Sequence, residues 1–133
     1  VSAPENTPTL NIDLAEKVLA QITEHPELHD QQYYGMRRDC GTTHCVAGWA
    51  IALSPGVEFT WRPWDDGFEI DGVSLPDYGV TDPEVAGREL LGLDLEAAEH
   101  LFLDLDESEA IVFLRQLIAD AKAVAAYTRQ VSA

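Results

Sequence analysis

Cys40-Gly41-Thr42-Thr43-His44-Cys45-Val46-Ala47-Gly48-Trp49-Ala50-Ile51-Ala52-Leu53 is the least polar long stretch of the chain and holds both of its cysteines. The pattern reads as a short loop turning into a buried helix over residues 43–54. Thr42 and Thr43 are N-cap candidates, because a hydroxyl can accept from the free N–H groups of a first turn. Val46, Trp49, Ala50 and Leu53 then fall at i, i+3, i+4 and i+7 on one face, with the small residues Cys45, Gly48 and Ala52 opposite. A helix apolar all round is expected to be enclosed on all sides. Gly48 in its interior costs about 1 kcal/mol against alanine, which a close approach by another element would offset. Ser54-Pro55-Gly56 ends the helix, since Pro55 cannot continue it and Gly56 suits a turn.

Cys40-Gly41-Thr42-Thr43-His44-Cys45-Val46-Ala47-Gly48-Trp49 resembles the Cys-Gly-Thr-x-x-Cys-[Ile/Val/Leu]-Ala-Gly-Trp signature of a family of small bacterial and phage proteins. A leader helix typically precedes that signature, and a Leu-Gly-Leu … Leu-Phe segment follows it. The latter is similar to Leu91-Gly92-Leu93 and Leu101-Phe102 here, so the resemblance covers about residues 14–117. It implies a bacterial or phage origin, implies no activity, and transfers no functional residue.

A chain of 133 residues fits a single domain, and at this size folding removes roughly two-thirds of the extended surface from water. The expected division is a flexible tail over residues 1–10, one globular domain over 11–128 and a frayed end over 129–133. Residues 1–8 have neither the basic region nor the apolar core of a signal peptide. No run of 18 apolar residues occurs, so no membrane span is expected. Two cysteines without a secretion signal point to a reducing cytoplasm. Twenty-four acids against eight bases give a net charge of −16. That charge opposes direct contact with nucleic acid or an anionic membrane, and it favours a protein partner with a basic surface.

The rest of the chain reads as α+β: about five helices around the central one, with a small antiparallel hairpin or meander over residues 57–75. Asn11 or Asp13 can cap a first helix to Glu24, with Leu14, Ala15, Val18, Leu19 and Ile22 as its apolar stripe. Val57-Glu58-Phe59-Thr60-Trp61 alternates as a strand does. Residues 63–67 and Asp71-Gly72 carry turn chemistry, and residues 76–80 read as a loop. Thr81-Asp82-Pro83 opens a helix that ends at Gly92, and Asp94 caps a short helix to Phe102 or Leu103. Asp106 and Glu109 have capping-box spacing at the start of the last helix. The central helix is expected to pack against the first and last.

Several constellations invite chemistry. A cap at Thr43 would put Cys45 in a helical first turn, where the dipole favours a thiolate. A cysteine hydrolase would use Cys45 or Cys40, but downstream there is only His100 to serve as base. His25, His29, Cys40 and Cys45 have spacings tolerable for a two-His, two-Cys zinc site, and a Cys40–Cys45 disulfide is the alternative under oxidant. Burial of a small side chain is the plainer reading of Cys45, and no cofactor is expected. From residue 56 to 114 there are sixteen acids opposed by Arg62 and Arg88 alone. This is a solubilising face, or a docking face for a basic protein, or an imitation of nucleic-acid phosphate. The surface singled out for partner binding is Trp61, Trp64, Asp65, Asp66, Glu69 and Asp71 around the hairpin tip, because exposed tryptophan is a typical interface anchor. The expectation is therefore a non-enzymatic, acidic protein-interaction module. A nucleic-acid-mimicking inhibitor of a DNA-binding protein and a small cysteine hydrolase are the alternatives.

Overall fold

The computed structural model describes residues 9–39, 41–76 and 79–132. Helix α1 spans Ile12–Glu24 and starts where the sequence places it, with Asn11 Oδ1 accepting the Leu14 N–H at 3.2 Å. A 3-10 turn, Pro26–Leu28, leads to two three-residue strands, β1 (Met36–Arg38) and β2 (Gly41–Thr43). Helix α2 is Val46–Ala52, followed by strands β3 (Glu58–Trp64), β4 (Gly67–Leu75) and β5 (Gly79–Thr81). Helices α3 (Pro83–Leu91) and α4 (Leu95–Glu99) come next, then a π turn, His100–Asp104, and helix α5, Glu107–Ser132.

The fold is α+β, with five α-helices and one five-stranded antiparallel sheet among the described residues. Strand β4 is its spine: β3 pairs along one edge, while β1 and β5 share the other and β2 adds outside β1. The sheet is thus larger than a hairpin. Thr42 and Thr43, read as caps, pair with Arg37 and Met36 instead. Their β-branched side chains suit a ladder as well as a cap. Asp71-Gly72 does not turn the chain. Thr60 faces Gly72 and Trp61 faces Ile70, so Asp71 is taken up as a bulge in a continuous β4. The segment expected as a loop at 76–80 contributes Gly79 and Val80 to β5.

Helix α2 is shorter than expected and begins after Cys45, its N-cap residue. It stands between two apolar clusters. Val46, Ala47 and Ala50 join Leu14, Ala15, Val18 and Ile22 of α1, Ala110, Leu114 and Ile118 of α5, and Leu101 and Phe102. On its other side Ile51 joins Ile70, Val73 and Leu75 of the sheet and Ala86 of α3. Its closest neighbours are α3 and α1, whereas α5 lies along α1. The reason is steric: Gly87 of α3 lacks a Cβ that would stand 2.8 Å from the Ala47 Cβ. Gly48 likewise lets α2 lie against the Tyr34 carbonyl, where a Cβ would overlap the oxygen. Enclosure is incomplete, because Ala52 faces solvent.

The remaining helix ends follow local chemistry. Gly92 closes α3 at φ 71°. Asp94 accepts the Ala97 N–H at 2.7 Å. Asp106 and Glu109 form the reciprocal capping box, at 2.8 and 3.0 Å. Helix α5 continues to Ser132, past residue 128 where fraying was expected. The expected tail at 1–10 falls outside the described residues except for Thr9 and Leu10, and Leu10 packs on the core. Among the described residues no helix is long and apolar enough to cross a membrane.

Candidate functional site

From His44 to Gly48 the signature segment is buried, and Trp49 after it is half-buried. Cys45 is 1% exposed and has no thiol partner among the described residues. Burial pushes that thiol up to about 12, although the N–H groups of Gly48 and Ala47 pull the other way. A reactive cysteine needs the opposite shift. His44, next in sequence, is directed elsewhere. Its Nδ1 lies 2.8 Å from the Tyr34 carbonyl, which can only accept, so Nδ1 carries the proton. The ring meets Trp49 edge-on at 4.7 Å and stacks on Phe59 at 5.4 Å. Burial lowers its pKa, offset in part by the Tyr34 bond, and keeps the imidazole neutral.

Beside it lies a polar node that the sequence reading missed. The buried Gln31 amide accepts from the Val46 N–H at 3.0 Å and from His29 Nε2 at 2.9 Å, and donates to Leu101 O at 2.9 Å. Because Val46 supplies a donor and Leu101 an acceptor, the amide has one permitted orientation and His29 must hold its proton on Nε2. Gln31 therefore does at the start of α2 what Thr43 was expected to do. Its backbone N–H also donates to Glu107 Oε2 at 2.8 Å, tying the loop to α5.

Of the four zinc candidates, Cys40 lies outside the described residues, and with it the Cys40–Cys45 disulfide. His29 is buried in the Gln31 node, not on a polar surface loop, and His25 is exposed beside Glu27 at 3.5 Å. Among the described residues no group of three or more His, Cys, Asp or Glu side chains is placed to hold a metal ion.

The six partner-binding candidates cluster at the β3–β4 hairpin but do not form one face. Residues paired across a ladder share a side of the sheet. Trp61 pairs with Ile70, Pro63 with Phe68, and Phe68 with Arg37. These five therefore share the side that carries the sheet-side core. Arg62 pairs with Glu69, and Glu69 with Met36, on the other side. Trp61 is half-buried, whereas Trp64 at the tip is 43% exposed. Asp65 carries the positive φ, 46°, of the two-residue turn, and Asp66 and Asp71 are exposed.

Arginines brace this tip: Arg62, which lies between the two tryptophans in sequence, and Arg37 and Arg38 of β1, which the sequence did not place here. Arg37 lies 4.5 Å over the Trp61 ring and 5.3 Å from that of Phe68, and Arg62 lies 5.7 Å from that of Trp64. Arg62 also donates to Glu69 Oε2 at 3.0 Å, and Arg38 sits 3.6 Å from Asp66. The clue available in the sequence was Arg37-Arg38, its one paired basic site, together with Phe68 resuming the alternation after Gly67.

A concave region of about 550 Å³ lies between Gln31–Tyr34 and the start of α5, with Phe102, Asp104, Asp106, Glu107 and Glu109 on its walls and the buried Cys45 at its edge. Its acids serve local structure. Asp106 and Glu109 make the capping box, Glu107 holds Gln31, and Asp104 is 3.4 Å from His100. The Glu109 N–H holds the Asp106 carboxyl below its usual range. No family model, no curated protein and no solved structure matches this chain.

Proposed function

We propose that the protein is a non-enzymatic docking protein of the cytoplasm that binds a protein partner with a basic surface. Its assignment as a bacterial or phage accessory factor rests on the Cys-Gly-Thr-x-x-Cys-x-Ala-Gly-Trp resemblance. The observation that carries the reading is the hairpin tip. Trp64 and Phe68, on opposite sides of the ladder, are each more than 40% exposed, with an arginine over each ring. Tryptophan and arginine together are the side chains most enriched among interface hot spots. The net charge of −16 supplies long-range attraction for a basic partner, and its effect falls on the rate of encounter.

The reading is tested by placing a photo-crosslinking side chain at position 64 and, as a control, at the exposed position 112 of α5. Host extract is then irradiated at low and at physiological salt. A basic protein captured from position 64, faster at low salt, is the expected result. Equal capture from both positions, or capture indifferent to salt, would overturn the reading.

A further inference from the structure

The core-facing side of the sheet runs past the helices at the hairpin end. Ile70 is 6% exposed, Trp61 beside it is half-buried, and Phe68 at the next paired position outward is 42% exposed. Arg37, opposite Phe68 on β1, is exposed, and its guanidinium lies over two aromatic rings. Stacking engages the flat face of a guanidinium and leaves its in-plane N–H donors directed outward. Among the described residues Arg37 makes no ion pair and donates no side-chain hydrogen bond, while Arg38 and Arg62 each face a carboxylate. The ladder partners on this side, Phe68, Pro63, Trp61 and Ile70, include no acid, in a chain where acids outnumber bases threefold. A held fork of donors with an apolar ledge beside it and no counter-charge among the described residues is built for a planar anion next to an apolar group.

We propose that Arg37, stacked on Trp61 and Phe68, is the anchor of the docking surface and takes a carboxylate side chain of the partner, with Phe68 receiving an adjacent apolar side chain. This rests on the docking reading above and makes it more specific. The partner is basic in the large, which brings it to this acidic molecule, and presents an aspartate or glutamate at the point of contact. A carboxylate is favoured over a phosphate of nucleic acid because a polyanion would meet the whole net charge of −16 on approach.

The test is a randomised peptide library panned against the folded protein, repeated with Arg37→Gln and Arg37→Lys. Thermal melts check that both exposed-site variants remain folded. Enriched peptides are expected to carry Asp or Glu beside an aromatic or aliphatic residue. Arg37→Gln is expected to lower their affinity about tenfold or more, and Arg37→Lys, which keeps charge but not the planar fork, to restore only part of it. Basic peptides whose binding ignores Arg37→Gln would overturn the anchor while leaving the docking reading intact. No enrichment, or acidic peptides that bind the variants equally well, would also overturn it.

Discussion

Gly48→Ala is the sharpest test of how α2 is held. In an unobstructed helix interior this change stabilises by about 1 kcal/mol, because alanine loses less conformational freedom than glycine. Here the new methyl would overlap the Tyr34 carbonyl oxygen and stand 2.8 Å from both Cβ and Nδ1 of His44. The obstacle is backbone on one side and a stacked ring on the other, so neither can simply swing away. Overpacking of this kind costs about 1–3 kcal/mol. Displacing Tyr34 also breaks its bond to His44 Nδ1, about another 1 kcal/mol. Set against the propensity gain, the net is a loss of about 2 kcal/mol. For a chain of this length that lowers the melting temperature by on the order of 8 °C. Urea denaturation monitored by tryptophan fluorescence would give the free energy directly. An unchanged or raised midpoint would refute the placement of α2 against residues 34 and 44.

His44 gives a pH dependence with a definite sign. Its pKa is lowered in the folded state, so below its unfolded value near 6.5 the unfolded chain binds more protons. Its contribution is complete above that value and is lost as pH falls through it, by up to about 1.4 kcal/mol per pH unit. Denaturation at pH 7.5 and 5.5 should show this slope in the native protein and a flatter one in His44→Gln; equal slopes would contradict it. Gln31→Ala should cost about 3 kcal/mol or more, since it strands the Val46 N–H, the Leu101 carbonyl and His29. A loss under about 1 kcal/mol in urea melts would mean the node is not formed. Repulsion among the acids predicts that the melting temperature rises between roughly 10 and 300 mM sodium chloride as charges are screened. A flat or falling response would remove that claim.

The helices were legible in the sequence where chemistry within the terminal turn makes them, a cap bond at Asn11 and Asp106 and, at α3, Pro83 in the first turn with no side-chain bond from Asp82. The Asn11 cap, Asp82-Pro83, Gly92, and the Asp106–Glu109 box are decided within one turn of chain. The sheet was half legible. Strand β3 alternates visibly, but β1 and β2 have three residues each, too few to show a period, and Thr42-Thr43 suits a cap as well as a strand. Asp71-Gly72 carries the signal of a turn and serves as a bulge, a choice made by the pairing of Trp61 with Ile70 across the strand. The contact of α2 with α3 was hidden because it depends on one glycine, Gly87, meeting a small neighbour, Ala47, 40 residues away in sequence. At the hairpin, the tryptophans could be picked out by type, but which side of the sheet faces the core is decided by the pairing of Trp61 with Ile70 across the strand. Arg37 reaches them only through the β1–β4 ladder.

The Cys-Gly-Thr-x-x-Cys-x-Ala-Gly-Trp segment either supports the molecule or reacts. Labelling of Cys45 by a thiol-specific disulfide reagent at neutral pH, with Cys40 replaced by serine so that one thiol remains, decides this most directly. A thiol 1% exposed, with its pKa pushed up to about 12, should label only through unfolding. Its rate should be at least about a thousandfold below that of the denatured chain, in keeping with a folding stability of ordinary size, and should rise with urea in step with the unfolded fraction. Labelling within seconds in the native state, with an apparent pKa below that of an ordinary thiol, would contradict the account.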